Sequence, residues 1–187
     1  MAAAFGVLSV YLSARENILS WPTALVNVGL YTVVFYDARL YADMGLQVVY
    51  FLLSAYGWYE WKFGGANRTA LAVSRATGRM WVVLAAVNLA AWVALGAVLS
   101  RHTNAALPWL DSLLSTTSLC AQLLMTRKVL ENWLIWIVLD MVYVPTFLSR
   151  GLHATAALYA IFLVLAVAGL RGWTRSLARG SAPLPAT

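Results

Sequence analysis

The chain has 187 residues, 62% of them hydrophobic, 11% charged and 13% aromatic, and carries a formal net charge of +6. So little polar material cannot coat a soluble surface, which excludes a soluble globular domain and indicates transmembrane helices. The positive balance would point to nucleic acid in a soluble protein; here the cations sit in particular loops, and membrane topology is the simpler account.

A helix needs about 20 apolar residues to cross the hydrocarbon core. In chain order, crossings are predicted at 1–14, 17–36, 40–61, 81–100, 107–126, 131–149 and 152–172. The first is short. Met1 to Ser13 has no basic n-region, so no cleavable signal peptide is expected. The stretch 62–80 and the Pro- and Ser-containing tail after Trp173 are polar or irregular, and read as a mobile loop and a flexible tail at 174–187.

Two of these triplets repeat each other at an offset of 112 residues. Arg15 matches Arg127, Trp21 matches Trp133, Tyr31 matches Tyr143 and Phe35 matches Phe147. Leu40 and Ala42 match Leu152 and Ala154, and Gly57-Trp-Tyr-Glu-Trp61 matches Gly169-Leu-Arg-Gly-Trp173. One gapless offset makes chance similarity a poor explanation. Internal membrane-spanning repeats mark secondary transporters, whose site lies between the halves near the midplane. The organisation is then a first three-helix repeat at 1–61, a cytoplasmic loop at 62–80, a connecting helix at 81–100 and a second repeat at 101–173. One connector leaves both triplets in the same orientation, a parallel repeat about an axis along the membrane normal.

Orientation follows from Lys and Arg. With the N-terminus outside, the inner loops hold Arg15, then Lys62, Arg68, Arg75 and Arg79, then Arg127 and Lys128, and finally Arg171, Arg175 and Arg179. Only Arg39, Arg101 and Arg150 remain outside, so the chain reads N-out and C-in.

Most acidic residues lie near segment ends. Asp140 falls at the middle of a segment, where an ionisable group is costly unless paired or hydrated. Trp133, Trp136, Asp140 and Tyr143 follow at helical spacing on one face. Aromatic walls beside a carboxylate suit a flat, cationic or hydroxyl-rich ligand. The alternative is a structural anchor bonded to a neighbouring helix. Pro145 loosens the helix beside this acid by removing a backbone bond. A second stripe carries Asp111, Ser115, Ser118 and Gln122. A buried Gln both donates and accepts, which suits an amide or ribose hydroxyls, whereas Ser also serves as glue between helices. The matching positions of the first copy are Ala3, Gly6 and Val10, so polarity is concentrated in the second half. Asn27, Tyr31, Gln47, Tyr50, Ser54, Asn88 and Tyr159 are expected at a similar depth, lining a midplane pocket or bonding within the core.

His102 and His153 read as surface residues. The lone Cys120 excludes an internal disulfide, and no metal-ligand spacing, phosphate loop or nucleophile–base signature occurs, so neither catalysis nor a metal or other cofactor is expected.

The runs Leu40-Tyr41-Ala42-Asp43, Tyr56-Gly57-Trp58-Tyr59-Glu60-Trp61 and Ala121-Gln122-x-Leu124-Met125 add up with Glu131-Asn132-Trp133-x-x-Trp136-x-x-x-Asp140-x-x-Tyr143-x-Pro145. Together, over residues 15 to 173, they resemble the Pnu family of bacterial vitamin transporters, whose best known members carry nicotinamide riboside. The resemblance implies an all-α, SWEET-like bundle of seven transmembrane helices in a three-plus-one-plus-three parallel repeat, assembled as a homotrimer in the inner membrane. It also implies facilitated diffusion of an unphosphorylated vitamin, trapped afterwards by a cytoplasmic kinase. The short first helix departs from a complete repeat. Relatives in the same family carry thiamine or riboflavin, which keeps those vitamins open as substrates. A membrane scaffold that transports nothing is the alternative of another class; it requires the polar stripes to pair off and leave no cavity.

Overall fold

A computed structural model describes residues 2–37, 39, 41–103 and 107–180, with backbone alone for 41–43 and 180. Leu40, the side chains of Tyr41 to Asp43 and residues 181–187 of the expected tail lie outside the described residues. Among those described, seven α-helices are present: α1 Ala2–Ala14, α2 Ser20–Asp37, α3 Tyr41–Phe63, α4 Gly78–His102, α5 Pro108–Thr126, α6 Asn132–Ser149 and α7 His153–Gly180. Each predicted crossing corresponds to one of them.

Among the described residues, three helices, α4, α6 and α7, are long and apolar enough to cross a membrane by length and composition alone. The others fall short for physical reasons. α1 has 13 residues, and α2, α3 and α5 interrupt their apolar runs with residues such as Asn27, Gln47 and Gln122. A helix that lines a polar cavity surrenders part of its hydropathy.

The packing repeats with the sequence. α1 packs on α2 and α2 on α3, as α5 packs on α6 and α6 on α7. The triplets are joined through α1 on α7 and α3 on α5, which are equivalent contacts in the repeat. α4 lies outside, packed on α5, with Val82, Val87, Leu89, Val93 and Val98 exposed along it. Apolar side chains on that outer surface suit lipid or another subunit, not water.

Helix ends are duplicated bond by bond. The Glu16 and Asn17 amides donate to the Ser13 and Leu12 carbonyls at 3.0 and 2.9 Å. The Lys128 and Val129 amides donate to Met125 and Leu124 at 3.0 and 3.0 Å. This is the paired closure of a Schellman cap, whose turning residue adopts the left-handed conformation. Those residues are Glu16, at φ 55°, and Lys128, at φ 53°. At the opposite end, Arg39 (φ 58°) and Gly151 (φ 72°) form the second equivalent pair.

Two segments differ from the sequence reading. Residues 64–77 are strapped down: Ser74 forms a bridge with Val129, its amide donating to the Lys128 carbonyl and its carbonyl accepting from the Leu130 amide. The Ala76 amide donates to Glu131 Oε2 at 2.8 Å, and Lys128 Nζ to the Leu71 carbonyl at 3.0 Å. Non-local backbone pairing has no periodic signature, so composition alone reads this strap as loose. Residues 174–180, expected within the flexible tail, continue α7. The apolar run ends near Trp173, but Arg, Leu and Ala sustain a helix beyond the bilayer.

The core sits at the end of the bundle that holds the strap, hereafter the lower end. Trp21, Trp61, Trp133 and Trp173 form a chain of rings there. Trp21 meets Trp61 edge-on at 5.3 Å and Trp133 meets Trp173 edge-on at 5.4 Å. Trp61 and Trp173 join these two equivalent pairs. Gly57 and Gly169 make room: a Cβ on either would penetrate the ring of Trp21 or Trp133.

Candidate functional site

Above the tryptophans lies a cavity of about 710 Å³ between the triplets, within the range of small-molecule sites. Of the residues expected to form the site, Gln122, Ser118, Asn27, Tyr31, Gln47, Tyr50, Trp133, Trp136, Asp140, Tyr143 and Tyr159 all line it. Asn88 does not. Its amide donates to Thr117 Oγ1 at 3.1 Å, tying α4 to α5, because α4 packs outside the two triplets and cannot reach between them.

The two stripes behave as helical spacing requires. On α6, Trp133, Trp136, Asp140 and Tyr143 all reach the cavity, and the helix continues through Pro145. On α5, Ser115, Ser118 and Gln122 face it, opposite their repeat partners Ala3, Gly6 and Val10 on α1. At these matched positions α5 is polar and α1 is not, although α1 adds Ser9 and Ser13 elsewhere on its wall.

Several polar groups are already occupied. Ser118 Oγ donates to the Ser115 carbonyl at 2.7 Å, so Tyr50 is the donor in the 2.5 Å contact between their hydroxyls, which links α3 to α5. Asn27 Nδ2 donates to the Ala2 carbonyl at 2.7 Å and secures the start of α1. These three serve the packing as well as the wall.

Asp140 is different. It is only 3% exposed, yet among the described residues no hydrogen bond or ion pair engages its carboxylate. Among the described residues, the buried indole N–H groups of Trp21 and Trp133, both on the lining, are likewise without a hydrogen-bond partner, and Gln122 and Gln47 line the same cavity. A carboxylate held in a low-dielectric cavity without a partner attracts a cation or hydroxyl donors. None of the described lining residues is Lys, Arg or His, so the cavity offers no cation of its own.

The far end of the cavity is aromatic. Tyr31 stacks on Phe35 at 5.8 Å, and their counterparts Tyr143 and Phe147 stack at 5.7 Å. Tyr159 touches Tyr143, Phe147 and Phe162 at 4.7, 5.0 and 5.7 Å. Phe35, Phe147, Phe162 and Trp21 also line the cavity, beyond the site residues that the sequence indicates. The signal was present for three of them. Phe35 and Phe147 follow Tyr31 and Tyr143 by one helical turn, and Trp21 is the repeat mate of Trp133.

The model of the family described as nicotinamide mononucleotide transporter matches residues 1–175. The nicotinamide riboside transporter PnuC of Escherichia coli (strain K12) is 31% identical over 205 residues, covering 96% of this chain and 86% of that protein. The riboflavin/roseoflavin transporter RibM of Streptomyces davaonensis is 25% identical over 183 residues, covering 96% and 85%. The crystal structure of the vitamin B3 transporter PnuC aligns with a TM-score of 0.75 at 27% identity, covering 96% of this chain and 81% of that one. These relatives are transporters and not enzymes, and their likeness spans both triplets and the connector. The chain belongs to the nicotinamide mononucleotide transporter family.

Proposed function

We propose that this protein carries nicotinamide riboside across the bacterial inner membrane by facilitated diffusion. The observation that carries this reading is the uncommitted Asp140 carboxylate in an aromatic cavity whose described lining holds no basic residue. Nicotinamide riboside is a planar pyridinium cation bearing a ribose. Its ring charge complements Asp140 and stacks on Trp136, Tyr143 or Tyr159, while Gln122 and Gln47 suit its amide and hydroxyls. A mononucleotide adds a phosphate dianion, which this cavity would desolvate without supplying a cation. The unphosphorylated vitamin is therefore the better fit, although the family's description names the mononucleotide. The names of relatives from Escherichia coli and Neisseria mucosa point the same way.

Flux in this reading follows the vitamin gradient, kept steep by a cytoplasmic kinase that phosphorylates what enters. The two triplets rock about the central site, the N-terminus lies outside and the C-terminus inside, and three copies assemble in the membrane. A scaffold without transport activity requires its polar stripes to be paired, and the cavity with its free carboxylate speaks against it.

A riboflavin reading is favoured by the likeness to RibM. Riboflavin is neutral and relies less on the Asp140 charge, which its hydroxyls could meet only by hydrogen bonds. Calorimetry on purified protein with nicotinamide riboside, nicotinamide mononucleotide, thiamine and riboflavin separates the cases. Binding of the riboside alone supports the proposal. Preference for the mononucleotide, thiamine or riboflavin reassigns the substrate, and no binding by any of them returns the scaffold.

A further inference from the structure

The lower end holds an ion pair that the cavity chemistry does not use. Glu16 and Lys128 occupy the same position of the two repeats, each the turning residue of its Schellman cap. Glycine is the usual residue there, because a side chain in the left-handed region costs about 1 kcal/mol or more. Both caps accept that strain at φ 55° and 53°. Backbone strain retained at two matched positions points to a task for the side chains. The side chains carry opposite charges and meet across the repeat boundary, Lys128 Nζ lying 2.9 Å from Glu16 Oε2.

Lys128 is the hub of this end. Its ammonium also donates to the Leu71 carbonyl of the strap and lies 4.9 Å above the ring of Trp61. The strap fixes the α5–α6 turn through Ser74 and Ala76, whereas Glu16 supplies the only ion pair from the α1–α2 turn to it among the described residues. Glu16 and Lys128 line a depression of about 510 Å³, together with Leu71, Val73 and Leu177. Trp61 touches Lys128 on one side and Trp21, a wall of the main cavity, on the other. Trp61 therefore stands between the ion pair, which lines the depression, and Trp21, which lines the main cavity.

We propose that the Glu16–Lys128 pair is the latch that holds the lower end of the transport path shut. Parting the triplets there requires the carboxylate to leave the ammonium, after which movement of Trp61 and Trp173 joins the depression to the main cavity. Repeat-equivalent residues of opposite charge make a closure that attracts across the axis, where two like residues would repel. Lys128 stays braced by the strap and Glu16 is the part that moves.

The test reads accessibility and needs no substrate, so its outcome stands whichever vitamin is carried. In a Cys120→Ser background, Ser13→Cys puts a thiol on the cavity wall beside Trp173. Its reaction rate with a membrane-impermeant thiol reagent is measured from the strap face in sealed vesicles. Glu16→Lys sets two cations against each other and is expected to speed labelling about fivefold, the span available to a pair of this exposure. The swap Glu16→Lys/Lys128→Glu is expected to restore the parental rate. Glu16→Gly keeps the cap and relieves its strain while removing the carboxylate, so it should fold at least as well and still label faster. An unchanged rate in Glu16→Gly, or a swap that labels as fast as Glu16→Lys alone, overturns the latch.

Discussion

Trp61 donates its indole N–H to the Met125 carbonyl at 3.0 Å, and Trp173, its counterpart 112 residues later, donates to the Ser13 carbonyl at the same distance. Ser13 and Met125 are themselves counterparts. Each triplet's last helix thus completes the first helix of the other.

Replacing either indole should therefore have matching consequences. Trp61→Phe and Trp173→Phe each remove one buried hydrogen bond between the triplets, leaving the carbonyl only its cap amide, and each thin the ring chain. A loss of about 1–3 kcal/mol is expected for both, read as a lower Tm of the detergent-solubilised protein. Two clearly unequal losses would mean that the halves do not share this interface evenly.

Glycine 57 and glycine 169 offer a steric test of the same core. A methyl on Gly169 would lie 2.6 Å from Trp133, and one on Gly57 would press into Trp21. Gly57→Ala and Gly169→Ala should each destabilise by about 1–3 kcal/mol, because packed indoles cannot retreat. Gly29→Ala, where a Cβ meets nothing within 4 Å, should be neutral or slightly stabilising. Thermal melts of the three variants check the contrast.

Asp140→Asn removes the charge and keeps the shape. Affinity for nicotinamide riboside should fall about tenfold or more, the scale of a hydrogen bond to a charged group. Tm should hold or rise, since a buried carboxylate without a partner stabilises nothing in the empty protein. Calorimetry and a melt on one preparation read both. Unchanged binding with a collapsed Tm would instead mark Asp140 as an anchor between helices.

Asn88 should behave in the opposite way. Asn88→Ala is expected to leave vitamin affinity unchanged while loosening α4 from α5, with a loss of about 1 kcal/mol. A binding defect in this variant would place the path between α4 and the second triplet.

Much of this architecture is legible in the chain because its physics is local. Long apolar runs fix the helices, and a repeat carried by Trp21/Trp133 and Tyr31/Tyr143 fixes how the triplets relate. Helical spacing alone brings Trp133, Trp136, Asp140 and Tyr143 onto one cavity wall. What escapes is long-range. Asn88 has the depth of a site residue but not the azimuth, since which face of α4 meets α5 depends on tertiary packing. The strap is hidden because Ser74 finds its backbone partners at Lys128 and Leu130. Asn27 reaches the cavity, as expected, but its amide is committed to the Ala2 carbonyl, a partner no spacing rule names.

The crossed indole bonds also bear on how this molecule could be taken apart. The sequence looks like two modules in tandem, yet the floor beneath the cavity belongs to neither. A severed triplet keeps one indole that has lost its acceptor and one helix end that has lost the indole bonded to it. Duplication here has yielded a single indivisible device, with its moving joint built from parts that each half lends to the other.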